Sequence, residues 1–362
     1  MPKVARPKVI GAPISGPASR PGANRPTTIG VEASGGSLGG GKKLKFATQK
    51  ALPGRTAQRQ GEHKQSGSEG KQNGMVFNKG HGQHILRNPL VVTAIIEKAA
   101  IKSTDVVLEI GPGTGNLTEK LLEHAKKVIA FEIDPRMVTE LHKRFQHSPH
   151  QHKLQVIKGN CLDHEFPYFD KCVANVPYAI SSALVFKLLR NPTFKCAVLM
   201  FQREFALRVC ATPGSEMWCR LSVNSQLLAK CSHLMKISKN SFNPPPKVES
   251  SVIRLDPFHP PPPVSFEEWD GLVKLLFNRK NKKASAIFRS KSTLKSLYEF
   301  HCSYSKMEQK EPLSEESFKD LIFSILQDED VFGEEGKRSR TMTIEDIMML
   351  LNHFHQHGVH FA

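Results

Sequence analysis

The sequence predicts an α/β fold, a mainly parallel sheet wound with helices and followed by a small helical domain. Three observations carry that prediction. Apolar strand-like runs alternate with helical stretches between roughly residues 105 and 256. A glycine-rich turn joins the first buried run to a helical one. A stiff break, Pro260-Pro261-Pro262-Pro263, precedes three segments with helical apolar spacing. The expected organisation is a disordered basic tail at 1–75, an α/β domain at 76–258 and a helical domain at 259–362.

The tail rests on composition. Residues 1–75 hold 13 Lys+Arg against 3 Asp+Glu, more than half of the chain's net charge of +17. They are rich in Gly, Pro, Ser and Gln, and such a segment cannot bury enough surface to offset its ordering entropy. The basic balance favours a polyanionic partner. A mitochondrial transit peptide competes for the first 31 residues, which carry five basic and no acidic side chains. Pro2, Pro7, Pro13, Pro17, Pro21 and Pro26 would break the amphipathic helix it needs. No apolar run approaches the ~20 residues of a membrane span.

The sheet begins at residues 105–110, short and apolar like a buried parallel strand. Gly111, Gly113 and Gly115 follow as GxGxG, and a helical stretch follows at 119–125. Asn116 holds the place of the third glycine of a dinucleotide fingerprint, and no Lys-Ser/Thr pair marks a P-loop. The next strand, 127–132, ends in Glu132, a carboxylate suited to a ribose diol. With Glu109 before the turn, these acidic strand ends suit a cationic nucleoside such as S-adenosylmethionine better than a pyrophosphate. An ordinary nucleotide site with another ligand is the alternative.

A strand expected at 168–174 leads into Asn175-Val176-Pro177-Tyr178. Asn175 offers a side-chain carbonyl oxygen. Val176, before a proline, is held extended, which can aim its own C=O outward. Two such acceptors can hold the two N–H bonds of an exocyclic amine and keep its lone pair out of the ring. Tyr178 offers a face on which a flipped-out base could stack. The plainer reading is a strand ending in a turn, since Asn and Pro are turn residues.

Farther on, residues 200–209 carry apolar and basic positions at helical spacing, either an RNA-facing flank or a core helix. Helical patterning recurs at 266–276, 313–326 and 344–354. The basic run 279–283 suits phosphates or a solvated helix face equally. Seven cysteines without a C-x-x-C pair suit a reducing compartment. Histidines at 147, 150, 152, 353, 355, 357 and 360 read as solvated rather than metal-binding.

Taken together, these motifs resemble the rRNA adenine N6-dimethyltransferase family over residues 76–362. The resemblance is carried by residues 82–86, 109–115, 131–137, 175–178, 201–206 and 242–252. Residues 280–283 and 358–361 are similar to the eukaryotic 18S rRNA branch. The resemblance implies a Rossmann-like S-adenosylmethionine-dependent methyltransferase domain with a small helical C-terminal domain. It implies cofactor contacts at His84, Leu86, Gly111, Glu132, Asn160 and Asn175. It places catalysis on Asn175, Val176, Pro177, Tyr178 and Phe242, with Phe242 and Tyr178 sandwiching the target adenine. Two positions depart from the pattern: Asn160 where the family has Asp, and Ala179 where it often has Gln. A neutral Asn160 offers weaker hydrogen bonds than a carboxylate.

The implied activity is dimethylation of N6 of two adjacent adenosines in a small-subunit rRNA hairpin. The implied setting is ribosome biogenesis on a pre-ribosomal particle, as a monomer, in the nucleolus or nucleus with the cytoplasm as the alternative, rather than the mitochondrion or a membrane. The competing function is an rRNA-binding assembly factor with weak or dispensable methylation, supported by Asn160 and Ala179 alone.

Overall fold

Residues 84–190, 192–328 and 337–362 are described by the computed structural model, and all belong to one unit. The basic segment 1–75 lies outside them.

The chain enters through β1 (Ile85–Leu86) and α1 (Pro89–Ala99), whose N-cap Asn88 accepts from the Leu90 N–H. Then come β2 (Val106–Ile110), α2 (Asn116–His124), β3 (Lys127–Glu132), α3 (Pro135–Phe145) and β4 (Leu154–Lys158). The second half holds β5 (Lys171–Asn175), α4 (Ser181–Arg190), β6 (Cys196–Gln202), α5 (Arg203–Val209) and α6 (Arg220–Leu228). It closes with β7 (Ala229–Ile237), β8 (Phe242–Asn243) and β9 (Ser250–Pro257).

Seven strands form one sheet in the order β4-β3-β2-β5-β6-β9-β7. The first five are parallel; β9 runs antiparallel to β6 and β7. The pleat decides what each strand shows to either side. Val107, Val128, Val173 and Val198 pack with α1, α2 and α3. Leu108, Ile129, Cys172 and Leu199 pack with α4 and α5 on the other face. Sheet residues with apolar contacts on both faces explain why these strands read as continuous apolar runs.

Two expected elements shift. The run 168–174 begins as strand only at Lys171, because Tyr168 is exposed and the Asp170 N–H turns to the Val106 carbonyl. Residues 200–209 are not one helix. Met200–Gln202 finish β6, and α5 starts at Arg203.

Helices α7 (Phe266–Asn278), α8 (Ala284–Phe288), α9 (Lys291–Met307), α10 (Glu315–Ile325) and α11 (Ile344–Gln356) complete the described chain. Architecture changes after residue 258, but packing does not stop there. Ala211, Trp218, Val223 and Leu227 share a core with α7, α9, α10 and α11. Buried Trp269 donates to the Asn224 side chain at 3.1 Å, and Trp218 to the Met342 carbonyl at 3.1 Å.

The last histidines are not simply solvated. Glu268 accepts from the Phe361 N–H at 2.8 Å and lies 3.0 Å from His355 Nε2, with His360 Nδ1 at 3.6 Å. These three side chains are the described group compact enough for a metal, but hydrogen bonds already account for their geometry. They pin the chain end so that Val359 and Phe361 fill the helical core.

Candidate active site

The strand order reverses between β2 and β5, and ligands of open α/β sheets bind outside the carboxyl ends of strands at such a point. Here the ends of β2, β3 and β5 surround an open cavity. Its floor depends on two glycines. Gly111 sits at φ +67°, and a Cβ there would stand 3.3 Å from Pro177 Cδ. Gly115, at φ +85°, starts α2, and a Cβ would meet the Phe145 ring at 2.8 Å. Side chains at either position would force apart the strand ends or the helices that frame the cavity.

Residues 84–86 cross the cavity as a strap. Strand β1 pairs with β8, placing Leu86 opposite Phe242. Two asparagines tie it down from the floor: Asn175 Nδ2 donates to the His84 carbonyl at 3.1 Å, and Asn116 Nδ2 to the Leu86 carbonyl at 2.8 Å. His84 Nδ1 lies 2.9 Å from the Pro244 carbonyl, which makes it the protonated, donating nitrogen.

That tie also orients Asn175. Only its amide nitrogen can face a carbonyl, so Oδ1 remains an acceptor with no donor among the described residues. Val176 gives its N–H to the Met200 carbonyl at 3.2 Å. No described donor reaches the Val176 carbonyl, and Pro177 adds no N–H beside it. The cavity therefore holds two unspent acceptors on adjacent residues. Tyr178 lines the same wall, its hydroxyl 2.8 Å from Ser250 Oγ and its ring centroid 6.1 Å from that of His84. Burial pushes the Tyr178 phenol up, so it stays neutral.

Two carboxyls face this cavity. Glu132 Oε1 accepts from the Asp134 N–H at 3.0 Å and Oε2 from the Gly113 N–H at 3.1 Å. Each oxygen keeps a lone pair for a vicinal diol. Burial raises the Glu132 carboxyl, and those two N–H groups counter it. Glu109 lies deeper, buried at 1% exposure.

The same architecture occurs in solved proteins. A crystal structure of a dimethyladenosine transferase from Plasmodium falciparum superposes with a TM-score of 0.72 at 42% identity, over 77% of this chain and all of that one. The 23S rRNA methyltransferase ErmE gives 0.54 at 26% identity, over 75% and 99%. Residues 74–325 match the model of the ribosomal RNA adenine dimethylases. The chain belongs to that family. Among curated relatives, a probable dimethyladenosine transferase of Dictyostelium discoideum is 57% identical over 79% of this chain and 91% of its own length. One from Drosophila melanogaster is 57% identical over 80% and 94%.

This ribosomal RNA adenine dimethylase uses S-adenosylmethionine. The cavity fits that cation: two carboxyls, one with an orphaned buried oxygen, and a ribose-sized pair of acceptors on Glu132. Of the residues expected from the sequence, His84, Leu86, Gly111, Glu132, Asn175, Val176, Pro177 and Tyr178 line it together.

Two do not. Asn160 is not among the lining residues: its Oδ1 accepts from the Leu162 N–H at 3.1 Å, and its Nδ2 donates to Asp163 at 3.0 Å. A neutral amide can make that second bond where a carboxylate could not. Phe242 is buried at 4% exposure with Leu86, Ile237 and Val252, because pairing with β1 directs its ring into the core. The ring found beside Tyr178 is His84.

Sequence reasoning passed over Asn116 and Ser250. The signal for Asn116 was present, a side chain where a dinucleotide fingerprint has glycine. Ser250 carried none, since its role depends on β9 lying across from the Tyr178 segment.

Proposed function

We propose that this ribosomal RNA adenine dimethylase acts on N6 of two adjacent adenosines in a small-subunit (18S) rRNA hairpin, within a pre-ribosomal particle. The observation that carries the reading is the pair of free acceptors, Asn175 Oδ1 and the Val176 carbonyl, on one cavity wall beside Tyr178. Bound S-adenosylmethionine supplies a methyl group made electrophilic by its sulfonium. The chain's own residues do the rest by positioning and electrostatics. Asn175 and Val176 accept the two amine N–H bonds and so keep the nitrogen lone pair available. Tyr178 supports the base on its ring. Glu132 holds the ribose hydroxyls, with the strap of His84 and Leu86 above. No side chain needs to remove a proton first, because the amine becomes acidic only as it gains the methyl group.

Phosphate contacts belong to the exposed cations. Within the run 279–283, Arg279, Lys282 and Lys283 are exposed, whereas Lys280 is spent on the Glu216 and Trp218 carbonyls at 2.8 and 3.1 Å. With the basic segment 1–75, they suit a nucleolar or nuclear monomer that meets RNA during ribosome assembly.

Tritiated methyl incorporation into purified small-subunit RNA and into pre-ribosomal particles tests this. Label at N6 of two neighbouring adenosines is the expected result. Tight RNA binding with no incorporation on either substrate would favour an assembly factor instead.

A further inference from the structure

We propose that Glu109 is a further cofactor-site residue, neutral while the cavity is empty and ionised when the cationic cofactor binds, so that binding expels one proton. The inference rests on S-adenosylmethionine occupying the cavity beneath residues 84–86. It starts from the pleat of β2. Leu108 and Ile110 face the α4 side, so Glu109 shares the opposite face with Val107, beneath α2. An acidic side chain there is buried at 1% exposure, lines the cavity, and leaves Oε2 without a hydrogen-bond partner among the described residues.

An ionised carboxylate in that position would carry an uncompensated charge at high cost, and a buried group avoids this by holding its proton. The surroundings agree. Burial pushes the Glu109 carboxyl up to about 8, and the charge of Glu132 on β3 adds to the effect. The Thr118 hydroxyl on α2 opposes the rise from outside hydrogen-bond geometry, its own oxygen also being unpartnered among the described residues. From β5 the neighbouring titratable group is the Cys172 thiol, itself pushed up by burial and therefore neutral. His84 and Tyr178 are the other titratable groups among the described lining residues, which include no lysine or arginine. No counter-charge for Glu109 is present among the described residues that line the cavity.

A cationic ligand changes the balance. It replaces the proton as the partner of the carboxylate: the Glu109 O–H bond breaks, its electrons stay on oxygen, and the proton leaves to solvent. Glu132 cannot do the same work, since two backbone N–H groups already support its anion.

The sign follows from linkage. At pH values below about 8 the empty site holds the proton, so binding must release it and affinity rises with pH; above about 8 affinity levels off.

Titration calorimetry of S-adenosylmethionine tests the inference on the full-length protein. Proton release at neutral pH is read from the enthalpy in two buffers of different ionisation heat. Wild type is expected to release a large fraction of a proton beyond that of Glu109→Gln, and its affinity to climb at least tenfold over about two pH units below 8. The cofactor's own amine titrates equally in both proteins and cancels. Equal release and equal pH dependence would overturn the assignment. An infrared difference spectrum of wild type alone covers the case of a variant that fails to fold. Loss of a protonated-carboxyl band on binding is expected, and an unchanged band would overturn the assignment. Failure of wild type to bind the cofactor at all would instead remove the cofactor reading beneath it.

Discussion

Glu132 and Asn175 are fixed by different bonds, and each makes a separate prediction. Glu132 has one backbone N–H on each oxygen and a free lone pair on both. Glu132→Gln keeps the shape but removes charge and one acceptor, so S-adenosylmethionine affinity should fall by about 1–3 kcal/mol. Calorimetry on the folded variant checks this, and unchanged affinity would remove Glu132 from the ribose role. Glu109 predicts a pH effect on the protein without cofactor. Its folded-state carboxyl is raised from 4.5 to about 8, so the folded form keeps a proton that the unfolded chain has lost. That stabilisation is complete below about 4.5 and is lost as pH rises through about 8. Melting temperatures across this window should decline less in Glu109→Gln than in wild type. Residues at strand ends were legible in the sequence because strand period and the following turn fix them together. Asn160 and Phe242 were not. Asn160 is engaged in local bonds to Leu162 and Asp163, and the burial of Phe242 depends on pairing with a strand far away in sequence.

Among the elements, β8 and α7 carry the clearest tests. Phe242 packs against Leu86, so Phe242→Leu should cost about 1–2 kcal/mol of stability in the manner of a core truncation. Its methyl transfer, measured well below the melting point, should stay within a few-fold of wild type. A large drop in turnover at unchanged stability would instead place the ring against the substrate. Gly271 lies inside α7, where glycine is unfavourable by about 1 kcal/mol relative to alanine. It is there because a Cβ would run into the Phe361 carbonyl. Gly271→Ala should therefore destabilise despite better helix propensity, by about 1–3 kcal/mol, as overpacking does. Denaturant midpoints decide the sign. Helices α7 and α11 were expected from their apolar period. Helix α9 was not, since its buried positions are only Thr293, Leu297 and Ser305, too few and too polar to show a stripe. The change from strands to helices after β9 was legible in the sequence. The shared core of Trp218, Trp269 and Phe354 was not, because contacts between distant segments leave no local pattern.

For the molecule as a whole, charge and chemistry separate. RNA affinity of a basic protein comes mostly from phosphate contacts, each of which releases counterions. Deleting residues 1–75 removes 13 Lys+Arg against 3 Asp+Glu and should lower RNA affinity and flatten its salt dependence while the sheet folds normally. Filter binding at several salt concentrations checks this, and an unchanged slope would take the segment out of the RNA interface. In the proposed mechanism catalysis, by contrast, rests on a few atoms at the β5 end. Asn175→Ala removes the acceptor proposed for the reacting amine, together with the tie from Asn175 to the His84 carbonyl. The phosphate contacts remain. The most direct test is tritiated methyl incorporation into small-subunit RNA by this variant, with filter binding and cofactor calorimetry on the same preparation. Loss of incorporation by at least a hundredfold is expected, about the effect of removing one preorganised transition-state contact, with RNA affinity nearly intact and cofactor affinity modestly reduced. Near-normal incorporation would contradict the account.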